Sequence, residues 1–223
     1  MGKNIIIDFE TIGIAANGNS DQAVVSLAAI TFDSDITLDK LKKVPYLKVV
    51  DSTFYVKFAL NTQRKGERFE RTFDPNTLAW WKDQPPEVKK EIIPSSEDEQ
   101  LNVGVQKFKK YLSDNGCNPK YSKIYSVGQH FDIPIMQSIF HMTGVDFNDT
   151  VAKYWNIRDV RTVLDENVGM SNNQFKLPKD IEDSFVKHNA KHDVAYCLYQ
   201  MVYARALATG EITVEEMYKG EEV

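Results

Sequence analysis

Three strand-like runs crowd into the first sixty residues, and helical patterns fill most of the remaining chain. Asn4–Asp8 is a β-branched run, too short for a helix and apolar enough for a buried strand. Val24–Phe32 reads as a second strand. Thr53–Leu60 reads as a third, with Phe54, Val56, Phe58 and Leu60 alternating onto one face. Ile12–Gln22 is a Gly- and Asn-rich loop, and the Lys-rich stretch between the second and third strands reads as a surface loop or short helix. A helical pattern from Thr77 to about Lys90 is broken by Pro85–Pro86. The next begins at Ser96, where Ser96-x-x-Glu99 makes a capping box, and carries Leu101, Val105, Phe108 and Leu112 on one stripe. Lys123–Val127 is a further strand, followed by a helix bearing Ile135, Met136, Ile139 and Phe140. Ile157–Leu164 fits a strand or a helix equally well. A last amphipathic helix runs from about His188 to Thr209, with Val194, Cys197, Met201, Ala204 and Ala208 at helical spacing. Strands first, then helices with one further strand among them, predict an α/β fold with a mixed sheet.

The 223 residues suffice to bury a large core without disulfides or structural metals. One domain over residues 1–210 and an acidic, mobile tail over 211–223 account for the length. A net charge of −5 excludes a generally basic nucleic-acid wrapper. No uncharged apolar run approaches the ~20 residues of a membrane span, and the first ten residues do not read as a signal or transit peptide. Cys117 and Cys197 form no metal pattern and fit a reducing cytoplasm, with Cys197 as a small core residue.

The chemistry is carried by carboxylates. Asp8 and Glu10 end the first strand two positions apart, so both point to one face. With no Lys or Arg beside them they repel each other unless a hard divalent cation sits between them. The pattern alone is weak: a solvated strand end reads the same way, and Asp180-Ile-Glu182 repeats it with nothing apolar before it. Asp132 follows Gly128 at a strand-to-helix turn, where an N-cap is the commonest job for Asp. His188 and Asp193 flank the start of the last helix. They are five positions apart, about 140° around an ideal helix, so they share no helical face. A histidine at a frayed helix start can still swing over a site that Asp193 helps build. His141 and Asp146 repeat that spacing with no apolar stripe after them.

The set and its order are more specific than any one element. Asp8-Phe9-Glu10-Thr11, Phe131-Asp132 and His188-x-Ala190-x-x-Asp193-x-Ala195 resemble the three motifs of the DEDD exonucleases, spread over nearly the whole chain. The tyrosine variant of that family would carry its tyrosine at position 189, which is Asn here. His188 stands where the histidine variant, DEDDh, has its histidine. The segments 74–84 and 154–162 also resemble the exonuclease A group of T-even bacteriophages and a related group of small bacterial 3′–5′ exoribonucleases. Many DEDD members carry His-Asn where this chain has Val127-Gly128, so their Asn contact near the 3′-terminal nucleotide has no counterpart here.

The resemblance implies a ribonuclease-H-like fold, a mixed five-stranded sheet flanked by helices. It implies hydrolysis of terminal phosphodiesters from a 3′ end to nucleoside 5′-monophosphates, in the cytoplasm (a host's, for a phage-encoded chain). Asp8, Glu10, Asp132 and Asp193 would hold two Mg2+, with Mn2+ also supporting activity, and Asp8 as the bridging ligand. His188 would take the proton of the attacking water, a role that an imidazole pKa near ~6.5 suits. Thr11 would reach the terminal nucleotide. Phe131, Trp80 and Trp81 offer faces for base stacking, although a Trp pair serves a core equally well. Arg161 holds a phosphate or braces the neighbourhood of Asp159. The cluster Arg64, Lys65, Arg68 and Arg71 tracks a single strand or is a solvated face. DNA 3′ ends, single-stranded, are the expected substrate and RNA the alternative. A catalytically dead nucleic-acid-binding module is the rival from another class, disfavoured because such a module has no physical reason to keep four carboxylates and the histidine. No residue pattern specifies an oligomeric state.

Overall fold

The structure is a computed structural model and describes residues 2–14 and 20–219. Five strands, β1 (Lys3–Ile12), β2 (Ala23–Asp33), β3 (Phe54–Lys57), β4 (Ile124–Ser126) and β5 (Ile157–Asp159), form one sheet in the order β3-β2-β1-β4-β5. The β1–β2 and β2–β3 pairs are antiparallel, and the β1–β4 and β4–β5 pairs parallel, which is the expected mixed sheet. Period-2 alternation gives β1 two buried faces. Ile6 packs in one cluster with Val194, Ala195 and Leu198, whereas Ile5, Ile7 and Phe9 pack in another with Val105, Phe108 and Met136. Asp8 and Glu10 continue the Ile6 face to the carboxyl end of the central strand, the edge where open α/β sheets bind ligands. There the β1–β2 register shifts between Glu10 and Thr11 and passes over Val25, a bulge that re-aims the strand end.

The helices are α1 (Leu38–Lys42), α2 (Tyr46–Asp51), α3 (Pro75–Lys82), α4 (Pro86–Lys89), α5 (Leu101–Asp114), α6 (Gln129–Met142), α7 (Phe147–Thr150), α8 (Val160–Val168), α9 (Lys179–Glu182), α10 (Ala190–Ala208) and α11 (Val214–Met217). The Lys-rich stretch holds α1 and α2, whose Leu38, Leu41, Tyr46, Val49 and Val50 are buried. The third strand ends at Lys57, not at Leu60. Phe58 leaves it to bridge Glu99, and Leu60 opens a 3-10 turn. The same pairing explains a second difference. Glu99 gives its N–H to the Lys57 carbonyl instead of closing a capping box with Ser96, so the helix starts at Leu101, after Gln100. The ambiguous 157–164 segment is both forms in turn: β5, then α8, with the Asp159 carboxylate capping the helix.

In place of the expected amphipathic helix, α10 is buried on nearly every side, because α1, α2, α8 and the sheet surround it; within it only Ala208, its last residue, is exposed. Residues 213–219 are no loose tail either. Thr213 and Glu216 form a capping box for α11, and Met217 is buried. Residues 15–19, from the loop expected over 12–22, and residues 220–223 lie outside the described residues. Among the described residues no helix is long and apolar enough to cross a membrane.

Candidate active site

Asp8, Glu10 and Asp193 each place a carboxylate oxygen within 4.8 Å of the other two. β1 presents the first two, and the first turn of α10 presents the third. α10 begins where it does because the Asn189 side chain accepts the N–H groups of Lys191 at 3.2 Å and His192 at 3.4 Å. Asp132 stands apart from this trio. It is not the N-cap of α6; that position belongs to Gly128, whose φ of 83° suits glycine. Asp132 lies inside the first turn, is 2% exposed, and accepts the Phe9 N–H at 3.2 Å, close enough to Asp8 for their charges to oppose.

Burial pushes the Asp8 carboxyl up to about 7. Glu10 is raised well above the usual carboxylate range, by burial first and then by the charges of Asp8, Asp193, Glu91 and Asp132. Asp132 and Asp193 are raised by burial and by Asp8. Desolvated anions this close destabilise one another, and a hard divalent cation relieves them. An all-oxygen donor set suits hard divalent cations such as Mg2+, Mn2+ and Ca2+.

His188 immediately precedes the α10 cap. With φ of 63° it is the only non-glycine residue with positive φ among the described residues. Burial and the neighbouring Lys187 charge lower its pKa, which keeps the ring neutral near pH 7. Two cavities meet at Phe9, Glu10 and His188. One, of about 370 Å³, carries charges of both signs, from Asp8, Glu182 and Asp193 and from Arg161, Lys176 and Lys187. The other, of about 580 Å³, is lined by Thr11, Ile14, Trp80 and Phe131.

The Trp pair divides between these surroundings. Trp80 is 39% exposed and meets His188 edge to face. Trp81 is 1% exposed, and its Nε1–H donates to the Thr11 carbonyl at 2.9 Å, so it serves the core beneath the cavity and offers no open face for stacking. The Thr11 hydroxyl donates to the Gly13 carbonyl at 2.6 Å. Arg161 does not pair with Asp159, whose carboxylate accepts the backbone N–H groups of Gly128, Gln129 and Arg161. Its guanidinium lies over Gly128, where a Cβ would come within 3.1 Å of Nη1. Position 128 thus faces a cation from α8.

The basic cluster is divided as well. Arg71 is buried and holds the Gln22 and Ser20 carbonyls, so it is structural. Arg64, Lys65 and Arg68 are exposed. Asp180 and Glu182, the second Asp-x-Glu pair, lie on α9; Glu182 bonds the Leu177 N–H and the Tyr196 hydroxyl. Residue patterns gave no notice of Lys176 or of Glu91, a buried carboxylate from a 3-10 turn. Lys187 carried one signal, its place next to His188.

The model of the Rv2179c-like domain, described as a 3′–5′ exoribonuclease domain, matches residues 3–205. The exodeoxyribonuclease of Enterobacteria phage T4 is 34% identical over 218 residues, 93% of this chain and 91% of the relative. The nuclease domain of 3′hExo, a DEDDh family member bound to rAMP, has the same fold at 11% identity, with a TM-score of 0.55 over 93% of this chain and 92% of that one. The zinc-bound E. coli ExoI–ssDNA complex matches with a TM-score of 0.54 at 14% identity. It covers 94% of this chain, which spans 41% of the ExoI chain.

Proposed function

The chain belongs to the Rv2179c-like family of 3′–5′ exoribonuclease domains, and from that membership we propose that Asp8, Glu10, Asp132, Asp193 and His188 form the active site of a 3′–5′ exonuclease that acts on single-stranded DNA in the cytoplasm. The observation that carries this reading is the convergence of three carboxylate oxygens within 4.8 Å, beside His188 and where a cavity lined by charges of both signs meets an aromatic one. Two Mg2+ held by Asp8, Glu10 and Asp193, with Asp132 as fourth carboxylate, would supply charge neutralisation at the phosphodiester and a more acidic attacking water.

The chain's own residues do the rest. An imidazole nitrogen of His188 accepts the proton from the attacking water. Trp80 and Phe131 hold the 3′-terminal base by stacking, which tolerates any base. Arg161, Lys176 and Lys187 carry backbone phosphates on the other side, so strand attraction is local and an overall charge of −5 does not oppose it. The domain proposed for this chemistry spans residues 1–210.

DNA is favoured by the identity with the phage T4 exodeoxyribonuclease over nearly the whole length of both chains. RNA is favoured by the description of the family model. The test is degradation of matched DNA and RNA oligonucleotides, labelled at either end, with Mg2+ or EDTA. Metal-dependent release of mononucleotides from the 3′ end, faster on DNA, is expected. Faster trimming of RNA would exchange the two substrates, and activity in EDTA would remove the metal.

A further inference from the structure

Glu91 is a carboxylate that the chemistry above leaves unused. It is 8% exposed, and a buried polar side chain needs partners to satisfy it. Its Oε2 accepts the Tyr55 hydroxyl at 2.6 Å and the Ser26 hydroxyl at 3.1 Å, which ties it to β3 and β2. Its Oε1 accepts Nδ2–H of Asn189 at 3.5 Å. The other end of that amide, Oδ1, caps α10 through the Lys191 and His192 N–H groups. Asn189 is therefore held at both ends, and it directly follows His188 with its left-handed backbone. A histidine keeps such a conformation only where its surroundings enforce it. Trp80 confines the imidazole, and the Glu91–Asn189 link confines the backbone.

We propose that Glu91 is a positioning residue for His188, acting through the Asn189 side chain as a strut between the sheet and the start of α10. The proposal rests on the reading of His188 as the group that takes the water's proton. It separates two duties of Asn189: the oxygen starts the helix, and the nitrogen fixes where the preceding histidine stands.

The test is a mutant cycle in full-length enzyme with a single-stranded DNA oligonucleotide and Mn2+. Asn189→Ser keeps a capping oxygen but is too short to reach Glu91, and Glu91→Met fills a similar volume without an acceptor for the Asn189 amide. Each is expected to lower kcat by about tenfold or more, part of the 10²–10⁴ a positioned base supplies. KM, and in Asn189→Ser also Mn2+ affinity, should stay within about twofold, the pattern of a lost transition-state interaction. In a His188→Ala background Asn189→Ser should cost nothing further. Should the serine variant melt early, Asn189→Asp keeps the cap, sets a carboxylate against Glu91, and should lower kcat equally. Wild-type kcat in Asn189→Ser, or a further loss in the His188→Ala background, would overturn the strut and leave the base assignment standing. Full activity in His188→Ala alone would remove the base assignment and the strut with it.

Discussion

Trp80 meets His188 edge to face, with ring centroids 4.9 Å apart and ring planes at 87°. The ring that would stack a terminal base thus also borders the group proposed to take the proton. Trp81, one residue on, is core. The two should fail differently on truncation. Trp80→Ala is expected to lower kcat/KM by roughly 5- to 100-fold, the worth of one stacked base, with little change in Tm. Trp81→Ala is expected to lose about 3–5 kcal/mol of stability. Initial rates on a short oligonucleotide and thermal melting separate the cases; an unstable Trp80→Ala or a stable Trp81→Ala would contradict the assignment.

Asp132 combines a structural bond with an electrostatic position. Its carboxylate accepts the Phe9 N–H and faces Asp8. Asp132→Ala leaves a buried amide without its acceptor, which costs about 1–3 kcal/mol, whereas Asp132→Asn retains one. Both variants are expected to lose hydrolysis in Mg2+, and only the alanine to lose that stability. Urea unfolding alongside activity checks this: an active Asp132→Asn would take Asp132 out of the metal cage.

Much of this site was legible because strand periodicity is simple. Asp8 and Glu10 had to share a face once β1 was a strand. The angle between His188 and Asp193 on an ideal helix argued against their meeting. They line one cavity because His188 lies outside the helix, as a histidine at a helix start allows, on a backbone with positive φ. Which Trp faces out depends on the phase of α3, set by its start at Pro75 behind the Asp74 cap, and pattern alone does not fix that phase. Glu91 was illegible for another reason. Its neighbours Lys90 and Ile92 are those of any surface turn, and it is buried only because Ser26 and Tyr55 arrive from distant strands. The false capping box at Ser96 has the same origin: strand-like pairing between Phe58 and Glu99 outweighs a local preference.

The raised carboxyls make stability depend on pH in a stated direction. Asp8 titrates at about 7 when folded against 3.8 ordinarily, so the folded state holds the proton more tightly. Without metal its destabilising charge is fully present above about pH 7 and is relieved as pH falls toward about 4. Glu10, Asp132 and Asp193 shift the same way. His188, lowered, opposes them only as it protonates below its ordinary 6.5. A bound cation replaces those protons, so Mg2+ should raise Tm more at about pH 8 than at about pH 5.5. Melting curves with Mg2+ or EDTA at both pH values check it; equal shifts would show that the carboxylates do not bind the ion.

Gly128 and Arg161 are coupled by space. Gly128→Ala places a Cβ 3.1 Å from Nη1 on a backbone with φ of 83°. A loss of about 1–2 kcal/mol is expected from the backbone alone, together with a raised KM as the guanidinium is displaced. Arg161→Ala should raise KM without that loss of stability and reduce the salt dependence of binding by about one phosphate contact. Binding titrations over a range of KCl concentrations check both. An unchanged salt slope in Arg161→Ala would assign the phosphates to Lys176 and Lys187.

The enclosure of α10 has a consequence for timing. Asp193 stands on a helix surrounded by protein, and Asp8 and Glu10 on the middle strand of the sheet, segments of the kind that open only with global unfolding. Trp80, Lys176 and Lys187 belong to short helices and loops, which open locally at far lower cost. The groups proposed to grip a strand can therefore let go and take hold again many times while the spacing of the carboxylates stays unchanged, so loosening the grip need not dismantle the cage.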